Sequence, residues 1–100
     1  MYSPLPQECV LKNSEIHGLG LFLVKDVPSG HDFGIGHIED PEFQHGYIRT
    51  PLGAFFNHSE TPNCQIVKDG RFLRLVSIRK IKAGEELTAF YTLYKPSTGE

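Results

Sequence analysis

Short apolar runs broken by turn residues dominate this chain, and that texture restricts it to small sheets. Cys9-Val10-Leu11 and Leu21-Phe22-Leu23-Val24 read as strands. Val27-Pro28-Ser29-Gly30 is a turn, because Pro presets φ and Gly tolerates positive φ. A strand follows over 33–38, weakened by Gly34 and Gly36. Runs at 64–68 and 72–78 flank Asp69-Gly70, which predicts a hairpin closed by a type I′ turn with two positive-φ residues. Ile81-Lys82-Ala83-Gly84 is another turn, and 87–91 reads as the last strand. No stretch sustains a 3.6-residue period, so little helix is expected. The 100 residues therefore predict one mostly β domain over 1–100, ending in a polar tail at 95–100. Seven Phe and four Tyr, within a 39% hydrophobic composition, supply its packing material.

Charge and cysteine usage narrow the functional classes. Ten basic and twelve acidic residues give a net charge of −2 and no basic stripe, which disfavours a nucleic-acid partner. No apolar run approaches the roughly 18 residues of a membrane helix. Met1-Tyr2-Ser3-Pro4-Leu5-Pro6 lacks the charged start and apolar stretch of a secretory signal, so an intracellular protein is expected. Cys9 and Cys64 have no zinc-site spacing. They are either two reduced thiols, the preferred reading for an intracellular protein, or a disulfide.

Three motifs carry more chemistry than a loop needs. Ser14-Glu15-Ile16-His17-Gly18-Leu19-Gly20-Leu21-Phe22 has two glycines around one residue, which let a backbone approach a ligand closely. By itself it reads first as a glycine-rich turn entering a strand, and it lacks the third glycine and helix of a dinucleotide fingerprint. Asn57-His58-Ser59-Glu60-Thr61-Pro62-Asn63-Cys64 is a dense polar segment directly after Phe55-Phe56, and polar groups abutting large apolar ones often line a pocket. Its ordinary reading is a capped turn with a packed histidine. Ile81-Lys82-Ala83-Gly84-Glu85-Glu86-Leu87-Thr88-Ala89-Phe90-Tyr91 ends in a Tyr that is ordinarily just core.

In this order the motifs resemble those of SET-domain methyltransferases, in the form of a minimal stand-alone domain of viral, phage-like or bacterial type. The family has a similar Asn-His-Ser, a two-residue gap, then Pro-Asn and often Cys. Six positions at roughly 5% each coincide by chance on the order of once in 10⁸ trials. The likeness spans 14–91 and implies a β-clip-like fold of small sheets with a C-terminal pseudoknot, an exception to unknotted connections. It implies S-adenosylmethionine as cofactor, held by His17, Gly18, Leu19, Gly20, Asn57 and His58, with Tyr91 beside the transferred methyl. Departures fall on the substrate side. Ala54 stands where the family often has Arg, Gly36 or His37 where it often has Tyr, and Phe90 where it commonly has Asp. The insert between the first two motifs is short, and the cysteine-rich zinc tail is missing, so no metal is expected.

The implied reaction is methyl transfer to the ε-amine of a lysine in a protein substrate, a histone or another host protein. The attacking amine must be neutral, which costs roughly 4 kcal/mol at pH 7.4 for a lysine of pKa about 10.4. An apolar channel and a nearby sulfonium lower that pKa. Phe55, Phe56 and Phe90 are candidates for its dry wall, and Tyr94 for its closure. The Tyr91 hydroxyl could accept a CH···O contact from the methyl. A channel Tyr often limits the family to one methyl. The two positions that carry it are here Ile66 and Ala89, so a di- or trimethylated product is expected. A homodimer is also expected, because the short 30–53 segment leaves little chain for the substrate wall. Two rivals stand beside this reading. One is a SET-like peptide- or cofactor-binding module with weak turnover. The other is a metal-dependent hydrolase on His37, His45, His58 and Cys64, which lacks His-x₃-His or Cys-x₂-Cys spacing.

Overall fold

The computed structural model describes residues 5–42 and 46–90. Their elements in chain order are β1 (Cys9–Asn13), β2 (Leu19–Leu23), β3 (Asp32–Glu39), β4 (Tyr47–Arg49), α1 (Pro51–Phe55), β5 (Asn57–His58), β6 (Cys64–Asp69), β7 (Phe72–Ser77) and β8 (Thr88–Ala89). The protein is mostly β, as its texture predicts. β1 and β2 form an antiparallel pair, and the other strands form a six-stranded sheet in the order β4-β3-β7-β6-β8-β5. Every second side chain of β7, Leu73, Leu75 and Ser77, is buried, the period-two mark of a strand with one face on a core. Leu21 and Leu23 of β2 complete that core with Phe56, Ile81 and Leu87. None of the described helices is long and apolar enough to cross a membrane.

The expected strands form, with two differences of detail. The β6–β7 register pairs Asp69 with Phe72, so the hairpin loop is Gly70-Arg71 rather than Asp69-Gly70. Among the described residues only glycines have positive φ, and Gly70 has φ +63°. One positive residue at the first loop position is the pattern of a type II′ turn, which corrects the expected type I′. The last strand is the two-residue β8 rather than 87–91; Tyr91 lies outside the described residues.

Glycines in β3 are there for packing. Gly34 sits at φ +118° where the β3–β7 register shifts, a bulge that only glycine fills without strain. α1 presses against the same strand so closely that a Cβ on Gly53 would lie 1.9 Å from the Gly36 carbonyl oxygen. Thr50 starts this helix: its hydroxyl accepts the Gly53 N–H at 3.2 Å and donates to the Ile35 carbonyl at 2.6 Å, with Pro51 in the first turn. The two predicted turns meet through mutual backbone bonds between Val27 and Ile81, at 2.9 and 3.0 Å.

β8 is held by more than its ladder. It pairs in parallel with both β5 and β6, yet contributes only two residues. Asn63, buried at 4% exposure, makes up the shortfall. Its Oδ1 accepts the Thr88 N–H at 2.9 Å and its Nδ2 donates to the Glu86 carbonyl at 2.7 Å. The side-chain amide thus serves the chain as a peptide group of a neighbouring strand would. Asn63→Ala strands two buried backbone groups, each costing about 1–3 kcal/mol. Chemical denaturation is expected to show that loss, and the melting temperature to fall by about 4–8 °C per kcal/mol. A variant as stable as the parent would show that Asn63 is dispensable to the seam.

Candidate functional site

The three motifs converge on one carboxylate. β2 and the segment before β8 touch through an antiparallel bridge between Phe22 and Glu86, and the Leu87 N–H reaches the Leu21 carbonyl at 2.8 Å. This aims the Glu86 side chain beneath Gly20, where an added Cβ would lie 2.2 Å from Oε2. Gly20 is therefore glycine because the carboxylate occupies the space its side chain would need. Ser14 donates its hydroxyl to Glu86 Oε1 at 2.9 Å. The same Ser14 oxygen accepts the N–H groups of Ile16 at 2.9 Å and His17 at 3.3 Å, which folds the first motif into a turn. Asn57 enters from β5. Its Nδ2 donates to Glu86 Oε2 at 2.7 Å and has Ser14 Oγ at 3.1 Å, the His17 carbonyl at 3.2 Å and the Leu19 carbonyl at 3.4 Å around it. With acceptors alone on that side, the amide orientation is determined, and Oδ1 faces the opposite way.

His17, Gly18 and Leu19 are exposed beside this cluster, and Gly18 turns the chain at φ +50°. His58, on the rim, has its ring centroid 4.9 Å from that of Phe90 at an interplanar angle of 54°. Phe90 also lines a cleft of about 260 Å³ with Pro62, Cys64, Gln65, Ile66 and Ile78. Of the residues expected at a substrate channel, Ile66 and Phe90 border this cleft. Phe56 and Ala89 are enclosed in the core at 1% and 0% exposure, and Phe55 is half-buried against it. Tyr91 and Tyr94 lie outside the described residues. A second concavity, about 390 Å³, lies at the β3–β4 connection among Glu39, Asp40, Pro41, Gly46 and Tyr47, and carries none of the three motifs.

The residues suit an amino-acid cofactor with a flat heteroaromatic group. Oδ1 of Asn57 is an acceptor for an ammonium, the exposed backbone at 17–19 offers polar groups, and His58 and Phe90 offer ring faces. Gly18 adds no side chain beside this exposed backbone. Ser14, Glu86 and Asn63 were not singled out from sequence. Each belongs to one of the three motifs, but the bonds that join Ser14 to Glu86 and Asn63 to Thr88 span 72 and 25 residues, which no local pattern marks.

The other reactive groups sit in the core. His37 is buried at 2% exposure, with Phe56 and Tyr47 edge-on to its ring at centroid distances of 6.0 and 6.2 Å. Burial, then the Arg49 charge across the β3–β4 ladder, lowers its pKa from 6.5 to about 4. Cys9 and Cys64 are free thiols whose pKa values burial pushes up to about 12, so neither is a nucleophile at neutral pH. Among the described residues no three His, Cys, Asp or Glu side chains gather as a metal site. His45 lies outside them.

Comparison with known proteins agrees with the motifs. A family model described as SET domain matches residues 22–92. The mouse histone-lysine N-methyltransferase SMYD3 is 51% identical over 41 residues, 41% of this chain and 10% of that protein. A SET domain-containing protein of Acanthamoeba polyphaga mimivirus is 44% identical over 50 residues, 50% of this chain and 20% of its own. The matches thus span a tenth to a fifth of these relatives' lengths. The methyltransferase domain of human PR domain-containing protein 2 superposes with a TM-score of 0.68 at 18% identity, over 86% of this chain and 78% of that one.

The buried histidine sets a pH dependence of stability. Because the folded-state pKa of His37 is depressed, the unfolded chain binds its proton more tightly. Its contribution is whole above pH 6.5 and is lost as pH falls toward about 4. The full interval corresponds to about 3 kcal/mol. Urea unfolding between pH 7 and 4 is expected to show a loss of this order that His37→Gln, which does not titrate, lacks. Equal slopes in both proteins would assign the acid sensitivity elsewhere.

Proposed function

Because this chain belongs to the SET-domain family, we propose that it transfers methyl groups from S-adenosylmethionine to the ε-amine of a lysine in a protein substrate. One observation carries the reading: Ser14, Asn57 and Glu86, from motifs far apart in sequence, share one hydrogen-bonded cluster. An ordinary capped turn at 57–64 does not require such a cluster, and an amide with its Nδ2 end fixed inward suits a cofactor site. The printed names of the relatives support a protein lysine as acceptor and a histone as the first substrate to try.

When bound, the cofactor would supply a sulfonium methyl, whose S–C bond breaks as the lysine nitrogen forms the new N–C bond, with the thioether S-adenosylhomocysteine as leaving group. Asn57 presents Oδ1 to the ammonium of the cofactor, and the turn at 17–20 lies alongside. His58 and Phe90 bound the neighbouring apolar surface. The cleft of Pro62, Ile66, Ile78 and Phe90 takes the alkyl stem of the lysine and keeps water from the amine. This favours the neutral amine, since a charged ammonium loses solvation there. With the amine neutral, no dedicated base is required, and solvent receives the proton. Positioning supplies much of the remaining rate. Tyr91 takes the role the family gives its closing Tyr, its hydroxyl accepting CH···O contacts that direct the methyl.

The decisive experiment is mass spectrometry of histones and other candidate proteins incubated with isotopically labelled cofactor, paired with calorimetric cofactor binding. Labelled lysine is expected with the parent. Tyr91→Phe is expected to lose turnover about tenfold or more while its cofactor Kd stays within about twofold. Cofactor binding without transfer to any protein would instead support a binding module, and near-parental turnover by the variant would remove Tyr91 from the reaction.

The number of methyls follows from side chains without hydroxyls. Ile66, which borders the cleft, and Ala89, enclosed in the core, carry no hydroxyl that could hold a water. The product on one lysine is therefore expected to advance to the di- or trimethyl state at high enzyme and long times. A product that stops at one methyl would require a tyrosine from elsewhere in the channel.

A further inference from the structure

The polarity of Asn57 is imposed from behind. An asparagine amide offers a donor end and an acceptor end of nearly equal size, and a ligand site with only one asparagine must choose between them. Here the choice is made by Glu86. Its carboxylate offers acceptors alone, and its Oε2 makes the shortest contact in the cluster, 2.7 Å from Asn57 Nδ2. Turning the amide over would set the asparagine oxygen against that carboxylate and against the His17 and Leu19 carbonyls. Charge-assisted hydrogen bonds are roughly twice as strong as neutral ones, and the flipped state exchanges one for a repulsion.

Glu86 is itself held from three sides. Ser14 donates to Oε1, its own backbone carbonyl accepts from Asn63, and Gly20 leaves the space that the carboxylate fills. Its orientation is thus tied to the β-core, while its partner Asn57 is half-exposed at the site.

We propose that Glu86 is the positioning residue of the cofactor site: it locks Asn57 Nδ2 inward so that Oδ1 meets the cofactor ammonium. The inference rests on the cofactor reading above. It goes beyond that reading by assigning the choice of amide end to a residue that does not itself touch the cofactor.

The test reverses the pair. Asn57→Asp still presents an oxygen to the cofactor but faces Glu86 with a second carboxylate, so cofactor Kd by calorimetry is expected to rise about tenfold or more, equivalent to 1.4 kcal/mol. Adding Glu86→Gln supplies a side-chain N–H to the new carboxylate, and the double variant is expected to bind at least about threefold tighter than Asn57→Asp alone, the remaining loss lying with the His17 and Leu19 carbonyls that still face the substituted side chain. Such rescue is a coupling that independent structural damage does not produce. A second readout needs no cofactor. In the free parent, the Asn57 side-chain amide is expected to give a protected pair of ¹⁵N-correlated NMR signals, which Glu86→Ala shifts and exposes to exchange. A double variant as weak as Asn57→Asp alone, with the parent binding normally, overturns the inference. So does an Asn57 amide indifferent to Glu86→Ala in a folded protein. A parent that binds no cofactor overturns the functional reading itself, and the inference falls with it.

Discussion

One buried amide holds the site together. Asn63 accepts from the Thr88 N–H and donates to the Glu86 carbonyl, so it spans the residues on either side of Leu87. Between them Leu87 points into the core at 0% exposure, with its own N–H on Leu21. A buried amide is costly unless both ends are matched, and here both are. The result is a short strand, β8, whose depth and rotation are set from both sides. A two-residue parallel ladder alone would not hold it, because parallel pairing is slightly weaker per residue and each strand end is open to fraying.

That rotation decides where Glu86 points. With its carbonyl committed to Asn63, its side chain leaves on the side of β2 and meets the gap at Gly20. The two-stranded β1–β2 sheet and the six-stranded sheet are therefore joined at this seam by an acidic side chain as well as by apolar contact. A half-buried carboxylate is stabilised there by two short hydrogen bonds, from Ser14 and Asn57. The polar groups that shape the site are thus also groups that join the sheets.

The sheet strands were legible in the sequence because their signal is local. Alternation in β7, the apolar run of β2 and the turns at Gly30 and Gly84 each lie within a few residues. The hairpin was legible but its turn type was not: pairing Asp69 with Phe72 moves the loop by one residue, and register is a property of both strands. α1 carries its start signal in Thr50-Pro51, yet five residues are too few to show a period. Asn57 and His58 were marked as candidate site residues only through the resemblance of their motif. Their strand conformation depends on pairing with Thr88 and Ala89, about thirty residues on, which no local pattern encodes. Ser14 and Glu86 are hidden for the same reason, since their bond spans 72 residues. As for the aromatic residues, composition marked Phe55, Phe56 and Phe90 alike, but only topology separates a core Phe56 from an exposed Phe90.

Placing a ligand site on a seam links binding to folding. Anything that binds the assembled site and not the unfolded chain stabilises by mass action. In this protein the proposed cofactor-facing Asn57 is one hydrogen bond away from a group that holds β8: Asn57 touches Glu86, and the Glu86 backbone touches Asn63. Occupancy of the proposed site would therefore reinforce the contact between the two sheets. A small domain gains from this arrangement. Its apolar core is limited by its size, and the polar cluster adds order where the sheets meet. The same arrangement explains why the surroundings of Asn57 tolerate so little bulk. Gly20 leaves no room for a methyl group beside the carboxylate. A side chain at Gly20 would push Glu86 away from Asn57 and so disturb the Asn57 amide and the sheet seam together.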